Sequence, residues 1–173
     1  MDAIYIDPFV EAVCNTMKTM LGEAPSRKEL KTRNDNSAQG DVSGIVGFAS
    51  NNVFGSVALS FPMETAIKSY NMMVGDNIDT FSDDVRDTVG ELTNIVAGGA
   101  KKVYADQGLS FDISIPTIVV GKNHSLTHKG GTPVVTVPFS LGDYPFVLEI
   151  SVKLGNGARF QNEKAKTQTV KCR

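Results

Sequence analysis

The chain has no tryptophan, only two histidines and two cysteines in 173 residues, and no apolar run long enough to span a bilayer. Each absence excludes something. Cys14 and Cys172 lie at opposite ends, so they supply neither a zinc set nor the cysteine framework of a small secreted domain, and they predict thiols in a reducing compartment. A membrane helix needs about 18 or more consecutive apolar residues, which the sequence lacks. Asp2, Asp7, Pro8 and Glu11 interrupt any signal-peptide core at the start. The net charge of -2 and pI near 5.7 give no broad attraction for nucleic acid or anionic lipid. The expectation is a soluble, cytoplasmic chain with neither nucleic-acid nor membrane partners.

What is present is an ordinary globular composition, 41% hydrophobic and 21% charged. The length suits one domain with its own core. Asp7-Pro8 predicts a helix start with Asp7 as cap, and Phe9, Val10, Val13, Met17, Met20 and Leu21 recur at helical spacing before Gly22. The stretch 23–43 is charged and irregular, with a loop at 33–37. Strands are predicted at 44–48 and 53–59 around Ser50-Asn51-Asn52, a tight-turn signal. Pro62 opens a second helix that ends at Gly75. Ser82, followed by Asp83 and Asp84, has the cap and acidic first turn of a third. No proline interrupts that helix before Gly108. Strands follow at 111–120, 134–139 and 146–154. The last alternates, with Phe146, Leu148, Ile150, Val152 and Leu154 on one face and Glu149, Ser151 and Lys153 on the polar one. This order is not strict β-α alternation. It predicts an α+β fold, helices packed on a largely antiparallel sheet, in one domain at 1–154 with a flexible polar tail at 155–173.

The third helix carries the chemistry. With Asp87 at zero and each residue advancing about 100°, Glu91 falls at about 40°, Asn94 at about -20°, Gly98 at about 20° and Lys101 at about -40°. Val85, Val89, Leu92, Val96 and Val103 gather on the opposite side. A charged helix face is ordinarily a solvated one. Two features argue for more. Asn94 is a poor helix former in mid-helix, and Gly98-Gly99 costs about 1–2 kcal/mol against two alanines. Something must approach that face closely, or the glycines serve close packing against another helix of the same chain.

The spacing Asp87-x3-Glu91-x2-Asn94-x21-Pro116 resembles the D/S-x3-E-x2-N-x21-P pattern of the CheC/CheX/FliY family of response-regulator phosphatases. The surrounding Gly90 to Lys101, with Asp41-Val42-Ser43-Gly44 and Gly121-Lys122-Asn123-His124, is similar to the CheX members in particular. Relatives of the CheC type carry the E-x2-N pair on two helices. Here the first helix offers only Glu11 and Asn15, with Cys14 where the asparagine would stand, so a single active site is expected.

The resemblance implies hydrolysis of the aspartyl phosphate on a CheY-like response regulator in chemotaxis, by a homodimer. It implies Glu91 and Asn94 as catalytic and Asp87 as a supporting group; Gly98 and Lys101, on the same face of the wheel, are read as binding the partner or supporting the site. Pro116 would be structural, at an edge or bulge. No cofactor of its own is implied, because the phosphorylated regulator supplies Mg²⁺. The alternative is a non-catalytic adaptor that binds a receiver domain or a flagellar switch component through the same face. A metal-dependent enzyme through His124 and His128 is a third reading. Four residues apart, they suit a metal pair only on a helix, whereas Gly121, Gly130 and Gly131 predict a loop with surface histidines and no metal.

Overall fold

In a computed structural model, residues 5–33, 39–128, 133–155 and 170–172 are described. Of the loop expected at 33–37, Arg33 ends a strand and 34–37 lie outside the described residues, as do the glycines at 130 and 131 and most of the tail. Helix α1 (Asp7–Leu21) is followed by two short strands, β1 (Ser26–Arg27) and β2 (Lys31–Arg33). The hairpin β3 (Val42–Ala49) and β4 (Val53–Phe61) comes next, then α2 (Met63–Val74) and α3 (Asp83–Asp106). Strands β5 (Asp112–Ile113), β6 (Thr117–Val120), β7 (Val134–Leu141) and β8 (Tyr144–Leu154) complete the elements of the described residues. The eight strands form one sheet, ordered β1-β7-β8-β4-β3-β5, with β2 also on β7 and β6 also on β3. Every pairing is antiparallel. The α+β expectation holds.

The core lies between the sheet and the helices. Along β4 it takes Val53, Val57, Leu59 and Phe61, and along β8 Phe146, Leu148, Ile150 and Val152. Phe61, Phe146 and Phe139 stack across three strands at 5.3 Å centroid spacing. Tyr104 is fully buried, donates its hydroxyl to the Tyr5 carbonyl, and has its phenol pushed well above the ordinary range by desolvation. That bond ties the end of α3 to the start of α1, so the two helices run antiparallel.

The structure corrects four expectations. Residue 6 caps α1, not Asp7: Ile6 is buried, its carbonyl accepts from Phe9 and Val10, and Asp7 is already helical. The stretch at 23–43 contains β1 and β2, whose pairing comes from β7 more than a hundred residues later. The predicted strand at 111–120 is two short strands separated by Ser114, Ile115 and Pro116. Finally, Cys14 and Cys172 are joined in a disulfide. Cys14 is buried on α1, Val170 packs against the core, and Arg27 Nη1 donates to the Val170 carbonyl at 3.1 Å. That return brings the two Cα atoms to 5.0 Å, a span a disulfide bridges.

The polar face of β8 is also not as read. Glu149 is fully buried and Ser151 nearly so, because the β6–β7 connection crosses the outer face of the sheet and seats Leu126 there, 2% exposed. Glu149 pairs with Arg33 at 3.4 Å and with His128 Nε2 at 3.3 Å.

Candidate functional site

Helix α3 forms where the sequence predicts. The Ser82 hydroxyl accepts from the Val85 amide, Asp83 and Asp84 occupy the first turn, and the helix runs 24 residues. Its inner face is Val85, Val89, Leu92, Val96 and Ala100, each fully buried. Three small contacts bring its middle unusually close to its neighbours. A Cβ on Gly44 of β3 would strike the Thr93 hydroxyl, and one on Gly90 would stand 2.7 Å from the Ile118 side chain of β6. A Cβ on Gly99 would meet Ala12 of α1 at 3.1 Å. Within Gly90-Glu91-Leu92-Thr93-Asn94, residues 90, 92 and 93 are therefore packed inward. Glu91 and Asn94 are what the helix shows outward, exposed and half-buried respectively.

The two glycines of the expected gap separate. Gly99 serves close packing between α1 and α3. Gly98 has no atom within 4 Å of where its Cβ would stand. Among the described residues nothing requires glycine at 98, so the helix-propensity cost there is unexplained by packing.

Asp87 is exposed, and its Oδ1 accepts from both Nε and Nη2 of Arg86 at 3.2 Å, while Arg86 Nη1 reaches Asp83 at 3.0 Å. Lys101 meets Asp112 of β5 at 3.3 Å. Both pairs are open to water and contribute about 1 kcal/mol or less each. Among the described residues, neither the Glu91 carboxylate nor the Asn94 carboxamide is bonded to another side chain. The structure thus puts Asp87, Glu91, Asn94, Gly98 and Lys101 on one outward stripe, its two outer charges already paired. Pro116 lies between β5 and β6, at the break in the edge strand. Glu11 and Asn15 of α1 instead line a groove between α1 and α3 with Gly99 and Lys102.

The histidines are not surface groups. His124 Nδ1 is 2.7 Å from the Gly121 carbonyl and can only donate to it. In the neutral ring Nε2 then accepts from Ser43, 2.8 Å away, and Ser43 accepts from Ser60 at 2.7 Å. This joins two of the segments that carried the family resemblance, on the sheet face away from α3. The His128 side chain is 3% exposed, with Nδ1 2.7 Å from the Ser56 hydroxyl and Nε2 turned to Glu149. Hydroxyl, imidazole and carboxylate are in the order of a hydrolase relay. Ser56, however, lies inside β4, paired with Gly47 on one side and Ser151 on the other, so its own backbone cannot offer oxyanion donors. The histidines pin the β6–β7 connection to the sheet. Sequence reasoning missed this cover because a connection without periodicity gives no burial signal.

Comparison with known proteins gives a consistent result. A family model described as chemotaxis phosphatase CheX matches residues 42–140. A CheC-like superfamily protein from Shewanella sp. PV-4 is 35% identical, with a TM-score of 0.82 over 88% of this chain and 99% of that one. The CheY-P phosphatase CheX of Thermotoga maritima is 27% identical over 90% of this chain and 99% of its own length. The CheX–CheY–BeF3⁻–Mg²⁺ complex from Borrelia burgdorferi matches at 28% identity and TM-score 0.72, over 86% of this chain and 97% of that one. Among the described residues no helix is long and apolar enough to cross a membrane.

Proposed function

Because this chain belongs to the CheX family of chemotaxis phosphatases, we propose that it hydrolyses the aspartyl phosphate of a CheY-like response regulator with Glu91 and Asn94. The observation that carries this reading is the pair itself: one carboxylate and one carboxamide turned outward from a helix whose intervening residues are packed, beside an open glycine.

An aspartyl phosphate is a mixed anhydride. Water attacks phosphorus, the bond from phosphorus to the carboxyl oxygen breaks, and a free carboxylate and inorganic phosphate result. The transition state is loose, so catalysis rests on positioning and charge stabilisation. The regulator contributes Mg²⁺, its acidic ligands and a phosphate-contacting lysine. What it lacks is a group that holds water in line. The Asn94 carboxamide can accept from that water and donate to a phosphoryl oxygen at once. Glu91, a negative charge that would repel the phosphoryl group, pairs instead with the lysine and fixes the register of docking. Asp87 and Lys101 border the contact, each held by its own partner.

Gly98 is where the partner's backbone comes closest on this reading. Gly98→Ala therefore has two effects of opposite sign. Thermal stability rises by about 1 kcal/mol, because alanine is the better helix former and meets nothing among the described residues. Turnover of phosphorylated regulator falls, through KM. A variant that is more stable and equally active would remove Gly98 from the site.

The same reading carries a homodimer in the cytoplasm. Sedimentation velocity checks the assembly, and a monomer at micromolar concentration is the contrary result.

A further inference from the structure

Ile115 is 86% exposed, more than any other large hydrophobic among the described residues; Val74, at 53%, comes next. A solvent-facing isoleucine is unremarkable on a mobile loop. This one is held. The Ser114 amide donates to the Gly47 carbonyl at 2.8 Å and the Gly47 amide donates back to the Ser114 hydroxyl at 3.0 Å. That hydroxyl also donates to the Ile115 carbonyl at 2.9 Å. Pro116 follows, which fixes the next φ and restricts Ile115 to extended conformations. The break between β5 and β6 thus presents one aliphatic side chain on a backbone that loses little entropy when covered.

Its position follows from two contacts. Gly90 meets Ile118, and Lys101 meets Asp112. On the wheel of α3, Gly90, Asn94 and Lys101 lie within about 40° of one another, so Asn94 is on the flank that faces this edge. Along the helix Asn94 is about 6 Å from Gly90 and about 10 Å from Lys101. Ile115 is midway between Ile118 and Asp112, about 10 Å from each along the strand. The two midpoints coincide to within about one helical turn. A body resting on Asn94 and over the gap at Gly98 is therefore within reach of the segment that carries Ile115.

We propose that Ile115 is the apolar anchor that seats the phosphorylated receiver beside Asn94. The proposal rests on the phosphatase reading above and adds the contact that gives affinity without touching the reacting atoms. The facing flank of α3 and the strand before it are polar, with Asn94 on the one and the Lys101–Asp112 pair joining the two. Such a setting, one apolar centre within a polar rim, is that of a small hot spot.

The test measures kcat and KM for hydrolysis of a phosphorylated CheY-type receiver by wild type, Ile115→Ala and Ile115→Asp. Affinity for the same receiver loaded with BeF3⁻ and Mg²⁺ is measured in parallel, and sedimentation of each variant alone is recorded. Burying one large aliphatic side chain corresponds to about 10-fold or more in affinity. KM and Kd rise by that factor in Ile115→Ala and further in Ile115→Asp, while kcat stays within about twofold and melting is unchanged. Unchanged KM and Kd in both variants overturn the anchor and leave the phosphatase reading intact. Binding that depends on Ile115 without any hydrolysis supports the anchor and overturns the phosphatase reading instead. A shift of Ile115→Asp to a smaller species in sedimentation, with receiver affinity unaltered, assigns the side chain to a second copy of this chain and overturns the proposal.

Discussion

Asn94→Ala lowers the rate of phosphate loss from a phosphorylated receiver by about 100-fold or more and leaves binding of the BeF3⁻-loaded receiver within about twofold. The asymmetry follows from when the interaction forms. A carboxamide that holds water in line matures its hydrogen bonds in the transition state, so its removal is felt in kcat more than in the ground-state complex. Glu91→Ala fails differently. It loses the ion pair that sets the docking register, so affinity drops by about 1–3 kcal/mol and turnover falls with it. Neither change unfolds the protein, because both side chains point away from the buried stripe of α3. Equal losses of binding in the two variants would show that Asn94 docks the partner and does not act on water.

The second large effect is on stability. Glu149→Ala destabilises the fold by about 3–5 kcal/mol, read from urea unfolding, since it breaks the buried contacts that Arg33 and His128 make to this carboxylate beneath the β6–β7 connection. Glu149 is fully buried, so screening by water gives no relief. Glu149→Gln is milder, because the amide keeps an acceptor for His128 Nε2 and the shape of the site. Catalysis, measured well below the melting point, stays near wild type in both: the cluster lies on the sheet face away from α3. A Glu149→Ala protein as stable as wild type would mean that Leu126 and the His124–Ser43 and His128–Ser56 bonds hold the connection without the carboxylate.

These two residues differ in how much of their role could be read from the sequence. Asn94 could be found because α3 announces itself locally: cap, acidic turn, a 3.6-residue apolar stripe and no proline. The four-position motif then assigns its outward face. Glu149 could be placed on the polar side of β8 by alternation, and that side is indeed the one away from the helices. Alternation says which way a side chain points and not what covers it. The cover is a connection whose inward-turned residues, buried Leu126 and the half-buried His124 and His128, have no period. The disulfide was hidden for a related reason, since its cysteines are 158 residues apart. Strands β1 and β2 are two and three residues long and exist only by pairing with distant β7. Gly98-Gly99 was a legible oddity whose explanation split: Ala12 accounts for Gly99, and nothing among the described residues accounts for Gly98.

The most direct test is a time course of inorganic phosphate released from a phosphorylated CheY-type receiver with this protein at about one-fiftieth of the receiver's concentration. The account predicts a rate above the receiver's own dephosphorylation, proportional to added protein, with many turnovers per molecule and no metal beyond the receiver's Mg²⁺. A rate identical to the receiver alone, under conditions where complex formation is measured directly, would contradict it and leave a docking protein without catalysis.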